Sequence, residues 1–223
     1  MNVVVNNLAS IIGRLRRAAC DVGRDATSVR LVAVSKFHPS EAVQVALAAD
    51  HRVFGENRVQ EAKAKFLPLR KHYPDIELHL IGPLQTNKAE DAVKIFDVIE
   101  TLDRPQLAKA LAEAMHRSGR QVPCYVEINI GEEPQKAGIQ SEALPSFLKL
   151  CRQEYGLMII GLMCIPPQGQ DPRPYFARLK QLADAHQLPH VSMGMSGDFE
   201  VAIEEGATEV RIGTALFGER VTP

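Results

Sequence analysis

A chain of 223 residues, 45% hydrophobic and 24% charged, carries enough apolar material for one substantial core and has the balance of an ordinary globular protein. Its formal net charge of −1 gives no electrostatic footprint for nucleic acid or an anionic membrane surface. The four cysteines, Cys20, Cys124, Cys151 and Cys164, form no C-x-x-C pair and the seven histidines no H-E-x-x-H arrangement, so neither a disulfide framework nor a metal site is expected. No stretch approaches the roughly 18 apolar residues of a membrane span, and the arginine-bearing start is too poor in serine for a transit peptide. The expectation is a cytoplasmic protein with reduced thiols.

Residues 6–22 place Leu8, Ile11, Ile12 and Leu15 at helical spacing, as one face of a docked N-terminal helix. Residues 29–36 follow as a buried strand of β-branched and small apolar residues, stopped by Pro39. Lys36 ends it. An ammonium in that position either snorkels to solvent or is kept reactive by partial desolvation, which lowers its pKa from ~10.4 and frees the amine to attack a carbonyl. A helix through residues 41–47 leads to a short strand at 52–55, then a helix running to about residue 72. Residues 77–82 form a third strand, 86–96 a helix and 97–101 a fourth strand. Pro105 then starts a helix and Gly119 lies past its end. A fifth strand at 122–130, a helix at 141–154 and a sixth strand at 157–165 come next. A helix at 175–185, a seventh strand at 190–196 and an eighth at 209–214 complete the series.

Eight strands alternating with helices, several of them continuous apolar runs, predict an α/β fold with a parallel sheet covered by helices. With no linker, repeat or break in composition, a single (β/α)8 barrel spanning residues 1–223 with an extra N-terminal helix is favoured. An open doubly wound sheet is the alternative. Against it, no G-x-G-x-x-G follows the first strand.

In such barrels the C-terminal strand ends build the site, often with a phosphate site after strands seven and eight. Strand seven runs into Ser196-Gly197-Asp198 and directly into a helix, offering a hydroxyl, a glycine that admits close approach, and unpaired N–H groups. Strand eight ends in Gly213-Thr214, a second small-residue turn with a hydroxyl. Together these turns suit a phosphate dianion; singly, each reads as an N-cap or a packing glycine. Arg211 shares a side of its strand with Gly213 and has Glu209 or Glu127 as expected ion-pair partners. His79 is expected as a hydrogen-bonded core histidine. Asn57, after the second strand, either reaches a ligand or caps a helix. Lys136, in an acid-rich loop, reads as a solvated charge and Cys164 as a packing residue. A lysine and a phosphate site on one rim are what a phosphorylated aldehyde requires, and the cofactor of that description is pyridoxal 5′-phosphate.

At these positions the sequence resembles the pyridoxal phosphate homeostasis proteins, single-domain relatives of the N-terminal barrel of alanine racemase. The matching segments are residues 31–36 (LVAVSK), 54–61 (FGENRVQE), 79–88 (HLIGPLQTNK), 160–166 (IGLMCIP), 192–198 (SMGMSGD) and 210–220 (VRIGTALFGER), in order along nearly the whole chain. The resemblance implies a fold-type III barrel with Lys36 as the Schiff-base lysine. It also implies phosphate contacts from Ser196, Gly197, Gly213 and Thr214, Arg211 near the pyridine nitrogen, and Asn57 and Met193 lining the ring. Lys136 matches a family lysine linked to secondary cofactor contact, while His38 and Cys164 depart from the lysine and threonine common in relatives.

The expected activity is that of a reversible cofactor carrier without catalytic residues. A racemase needs a second base on the opposite face of its substrate, which racemases of this class draw from an additional domain. Arg211 leaves the ring a weak electron sink but does not by itself exclude catalysis. The alternatives are a single-domain fold-type III racemase and an aldolase-like enzyme whose lysine takes a phosphosugar. The partners implied are pyridoxal phosphate and pyridoxal-phosphate-dependent apoenzymes, with a monomer as the expected state.

Overall fold

A computed structural model describes residues 3–219. Eight parallel strands close into a barrel in sequence order: β1 (Arg30–Val34), β2 (Val53–Glu56), β3 (Glu77–Leu80), β4 (Val98–Leu102), β5 (Cys124–Ile128), β6 (Ile159–Cys164), β7 (His190–Ser192) and β8 (Glu209–Ile212). The seam pairs β1 with β8 through four residues, from Arg30↔Glu209 to Ala33↔Ile212. Outward-facing residues such as Leu31, Ala33, Phe54 and Leu78 pack under the helices, while the alternate residues face the barrel axis.

The helices alternate as expected: α1 (Val3–Asp21), α2 (Ser40–Ala48), α3 (Val59–Arg70), α4 (Ala89–Ile95), α5 (Pro105–Ser118), α6 (Leu144–Lys149), α7 (Arg173–Ala185), α8 (Phe199–Glu204) and α9 (Thr214–Phe217). Leu8, Ile11, Leu15, Ala18 and Ala19 of α1 are buried against the barrel's outer layer. Asn7 Nδ2 donates to the Leu216 carbonyl (3.0 Å), and Arg14 clamps Glu200 (2.8 Å), so α1 spans α8 and α9. The αL conformation of Gly119 (φ 65°) ends α5 where the sequence placed its stop.

The differences from the expected elements fall at strand ends and in the 141–154 helix. β1 stops at Val34, two residues short of Lys36, because the chain turns at Phe37 (φ 64°) and the His38 N–H closes on the Ser35 carbonyl (3.1 Å). The 141–154 helix is three pieces: a 3-10 turn, α6 and a π turn at Leu150–Glu154. The turn after β8 winds up as the short helix α9.

The barrel axis is polar. Glu77, His79, Glu100, Tyr125 and Glu209 stack inside it, below Arg211. His79 Nδ1 meets Glu100 (2.7 Å), its Nε2 meets Glu77 (2.8 Å), and the Tyr125 hydroxyl donates to Glu209 (2.6 Å). Burial opposes the charged imidazole, but the two carboxylates outweigh it and raise His79 to about 9. The bond from His79 in turn lowers Glu77 to about 2. Arg30 pairs with Glu77 (2.7 Å) at the lower end. His79 is therefore the hydrogen-bonded core histidine expected.

Candidate functional site

The C-terminal rim holds a cavity of about 390 Å3 lined by Lys36, Asn57, Ser196, Gly197, Arg211, Gly213 and Thr214, with Thr101 and Glu127 on its far wall. The segments that follow β1, β2, β7 and β8 thus meet in one place.

Lys36 stands on a braced turn. The preceding Ser35 is fully buried, and its hydroxyl donates to Glu56 (2.8 Å). Lys65 of α3, itself 8% exposed, reaches across to the Ser35 carbonyl (2.7 Å), Glu56 (2.6 Å) and Glu61 (3.1 Å). The Phe37 N–H donates to Glu61 (2.6 Å) on the other side of Lys36. Burial raises the Glu56 carboxyl while Lys65 pulls it back. This buried ion pair fixes the backbone on both sides of Lys36.

The two turns opposite are joined: the Ala215 N–H of α9 donates to Ser196 Oγ (3.3 Å). Asp198 caps no helix N–H with its side chain. Its carboxylate takes the Met195 N–H (2.6 Å), tightening the turn that carries Ser196 and Gly197. A Cβ on Gly197 would meet nothing within 4 Å, so that backbone faces open space. Gly213 is a close-approach glycine as well as a lining residue, since a Cβ there would sit 3.2 Å from the Val34 carbonyl. The start of α9 at Thr214 leaves its first N–H groups directed out of the helix.

Arg211 forms the floor, 4% exposed. Its guanidinium donates to Ser192 Oγ (2.6 Å) and to the Cys164 carbonyl (2.9 Å), and stands 3.7 Å from Glu100. Glu209 and Glu127, the partners expected from sequence, do not form that ion pair; Glu100 of β4 does. Burial opposes the Glu100 carboxylate, but His79 and Arg211 outweigh it and hold it below the ordinary carboxylate range.

Asn57 borders the cavity with a buried Oδ1 that has no hydrogen-bond partner. A Cβ on Gly82 would meet the Asn57 carbonyl at 2.5 Å, so this glycine gives Asn57 its room. Glu127 was not singled out for the site. Burial, with Asp103 and Glu100 adding and Arg211 opposing, raises it to about 7. Lys136 is less solvated than its loop suggested: it pairs with Glu133 (2.5 Å), donates to the Pro166 carbonyl (3.1 Å), and borders a side pocket that shares Glu127 with the main cavity.

Met193 is not part of the lining. Ser192 faces inward, so Met193 points outward and is fully buried in the core. Gly194 (φ 91°) then breaks the alternation and brings Met195 to the rim. His38, also outside the lining, is buried with its ring 5.2 Å from that of Phe217.

The chain matches the family model of the alanine racemase N-terminal domain over residues 7–221. It is 40% identical over 222 residues to the pyridoxal phosphate homeostasis protein of Aquifex aeolicus, covering 96% of each chain. The PipY protein of Synechococcus elongatus, solved without PLP, is 39% identical with a TM-score of 0.87, over 96% of this chain and all of that one. The same protein solved with PLP bound superimposes at a TM-score of 0.85 and 38% identity, over 96% of this chain and 100% of that chain. With the closed barrel, the paired rim turns and this near full-length likeness together, the chain belongs to the pyridoxal phosphate homeostasis protein family, built on the alanine racemase N-terminal domain.

Proposed function

We propose that this chain is a carrier that binds pyridoxal 5′-phosphate reversibly, with Lys36 as the covalent anchor and the Ser196–Gly197 and Gly213–Thr214 turns as the phosphate anchor. The observation that carries the proposal is that Lys36 and both turns line one cavity. The residues fit the cofactor on several counts. The cavity, about 390 Å3, lies within the usual range for small-molecule sites. The open face of Gly197 admits a phosphate close to the backbone, and the partnerless Asn57 Oδ1 offers an acceptor at the cavity wall. Lys36 and the two turns would hold the cofactor between them, and it would supply an aldehyde within reach of the Lys36 amine. Arg211, held by Ser192 and the Cys164 carbonyl, presents donors only, so toward a ring nitrogen it would act as a hydrogen-bond donor and not as a proton source. The relative solved with PLP bound supports this reading.

Storage, not turnover, suits the rest of the site. Ile165 (39% exposed) and Met195 (37% exposed) stand at the rim, so the mouth is open to water. Among the described residues lining the cavity there is no tyrosine to act as an opposing base. We read the chain as a single-domain cytoplasmic monomer that supplies apoenzymes.

The test is borohydride reduction of the cofactor-loaded protein followed by peptide mapping. A pyridoxyl group on the Lys36 peptide is the expected result; labelling spread over other lysines would overturn it. Incubation with D- or L-alanine should show no racemisation above that of free cofactor, whereas protein-dependent turnover would establish the racemase alternative.

A further inference from the structure

Beside the cofactor cavity, and sharing Asn57 and Pro83 with it, lies a second cleft of about 790 Å3 that the carrier reading does not use. Its walls come from the parts of residues 54–61 and 79–88 that run on past the cavity. Arg58, Lys88 and Arg104 line it together with the ring of Phe37, and no Asp or Glu is among the lining residues. We propose that this cleft is a second, non-covalent site, and that its ligand is an aromatic phosphate monoester.

The cations are what require an anion. Arg104 is fixed in place, with Nη2 on the Leu84 carbonyl (2.8 Å) and Nη1 on Asp103 (2.5 Å), which offsets its charge. Arg58 and Lys88 make no ion pair among the described residues. Two uncompensated positive charges on one concave surface repel each other, and a dianion removes that repulsion. A guanidinium and an ammonium on one cleft match phosphate geometry, the first as a planar fork and the second as a point charge. The aromatic half of the ligand follows from Phe37. Its ring is 41% exposed on a cleft whose wall also carries Val59, Pro83 and Leu84, with the Arg58 guanidinium 5.9 Å from its centroid. A planar ring laid against Phe37 extends that stack and leaves its phosphate toward Arg58 and Lys88. The volume suits one such molecule. Because Asn57 and Pro83 form the shared wall, the occupant would sit next to the cofactor cavity without entering it.

The test is calorimetric titration of phenyl phosphate into protein whose cavity has been blocked by borohydride-fixed cofactor. One further equivalent should bind, more tightly than inorganic phosphate. The doubly substituted R58A/K88A protein should lose roughly tenfold or more in affinity while keeping the absorbance of the fixed cofactor, and R58K should recover part of it. Absence of binding, binding equal to that of inorganic phosphate, or binding untouched by R58A/K88A in a protein with unchanged far-ultraviolet circular dichroism would each overturn the proposal. If borohydride fixes no cofactor, the carrier reading fails on that ground alone. The Arg58/Lys88 dependence of phenyl phosphate binding to the untreated chain then still decides the second site.

Discussion

Arg211 and Ser192 meet at 2.6 Å inside the barrel, and the same Ser192 hydroxyl donates to Glu100 at 2.5 Å. One oxygen thus accepts from the cation that floors the cavity and donates to the carboxylate that neutralises it. Ser192→Ala removes this link and leaves Glu100 and Arg211 each short of a partner. The expected cost is about 1–3 kcal/mol of folding stability, with weaker cofactor affinity and an intact covalent link. Urea denaturation and an absorbance titration measure the two effects separately.

Lys65→Met should do more damage than any exposed lysine substitution. It strands Glu56 without its cation and releases the Ser35 carbonyl that Lys65 holds at 2.7 Å. Breaking a buried pair from one side costs about 3–5 kcal/mol. Because the released segment carries Lys36, imine formation measured by stopped-flow absorbance should slow as well. A variant of wild-type stability and rate would show that the brace is idle.

Lys36→Ala separates the two anchors. It should abolish borohydride-fixable cofactor yet keep binding that depends on the phosphate, since the turns at Ser196 and Thr214 are untouched. Fluorescence titrations with pyridoxal and pyridoxal 5′-phosphate make the comparison. Equal affinity for both compounds would remove the phosphate assignment.

Glu127 predicts a pH effect. Its pKa is raised from 4.5 to about 7, so the folded chain holds a proton that the unfolded chain releases between those values. Its contribution to stability is full below pH 4.5 and is lost as pH rises to about 7. Above that, the carboxylate faces the cavity beside Asp103 and Glu100, with Arg211 the opposing charge, and repels an anionic ligand. Cofactor affinity should therefore fall through neutrality in the wild type, and Glu127→Gln should flatten that part of the profile. Parallel titrations from pH 5.5 to 8.5 decide it.

Gly82→Ala would put a methyl group 2.5 Å from the Asn57 carbonyl, a backbone atom that has nowhere to yield without moving the β2 end. A loss of about 1–3 kcal/mol together with weaker cofactor binding is expected. Gly13→Ala in α1, where a Cβ meets nothing within 4 Å, should instead stabilise, by about 0.5–1 kcal/mol. Thermal melts of both variants provide the contrast.

The barrel was legible because each βα unit announces itself locally, by an apolar run, a breaker and a period-3.6 segment. Lys36, Ser196 and Arg211 could be placed on one rim because in a parallel barrel every strand's C-terminal end faces the same way. What escaped the sequence were pairings set by closure. Nothing near Lys65 in the chain says that it will reach Ser35, 30 residues away, and nothing near Arg211 names Ser192 or Glu100. Met193 was misplaced for a more local reason. With Ser192 facing inward, the period-2 alternation itself turns Met193 outward into the core, and the glycine at φ 91° acts only after it, bringing Met195 to the rim.

Lys36 follows β1 and the Gly213–Thr214 turn follows β8, and these are the two strands that zip the barrel shut, Ala33 beside Ile212. A molecule bonded to one and cradled by the other acts as a clasp on the closure itself. Its arrival should be felt in the amide protons along that zip before any other strand pair, and its departure should loosen the join between the earliest and latest strands of the fold.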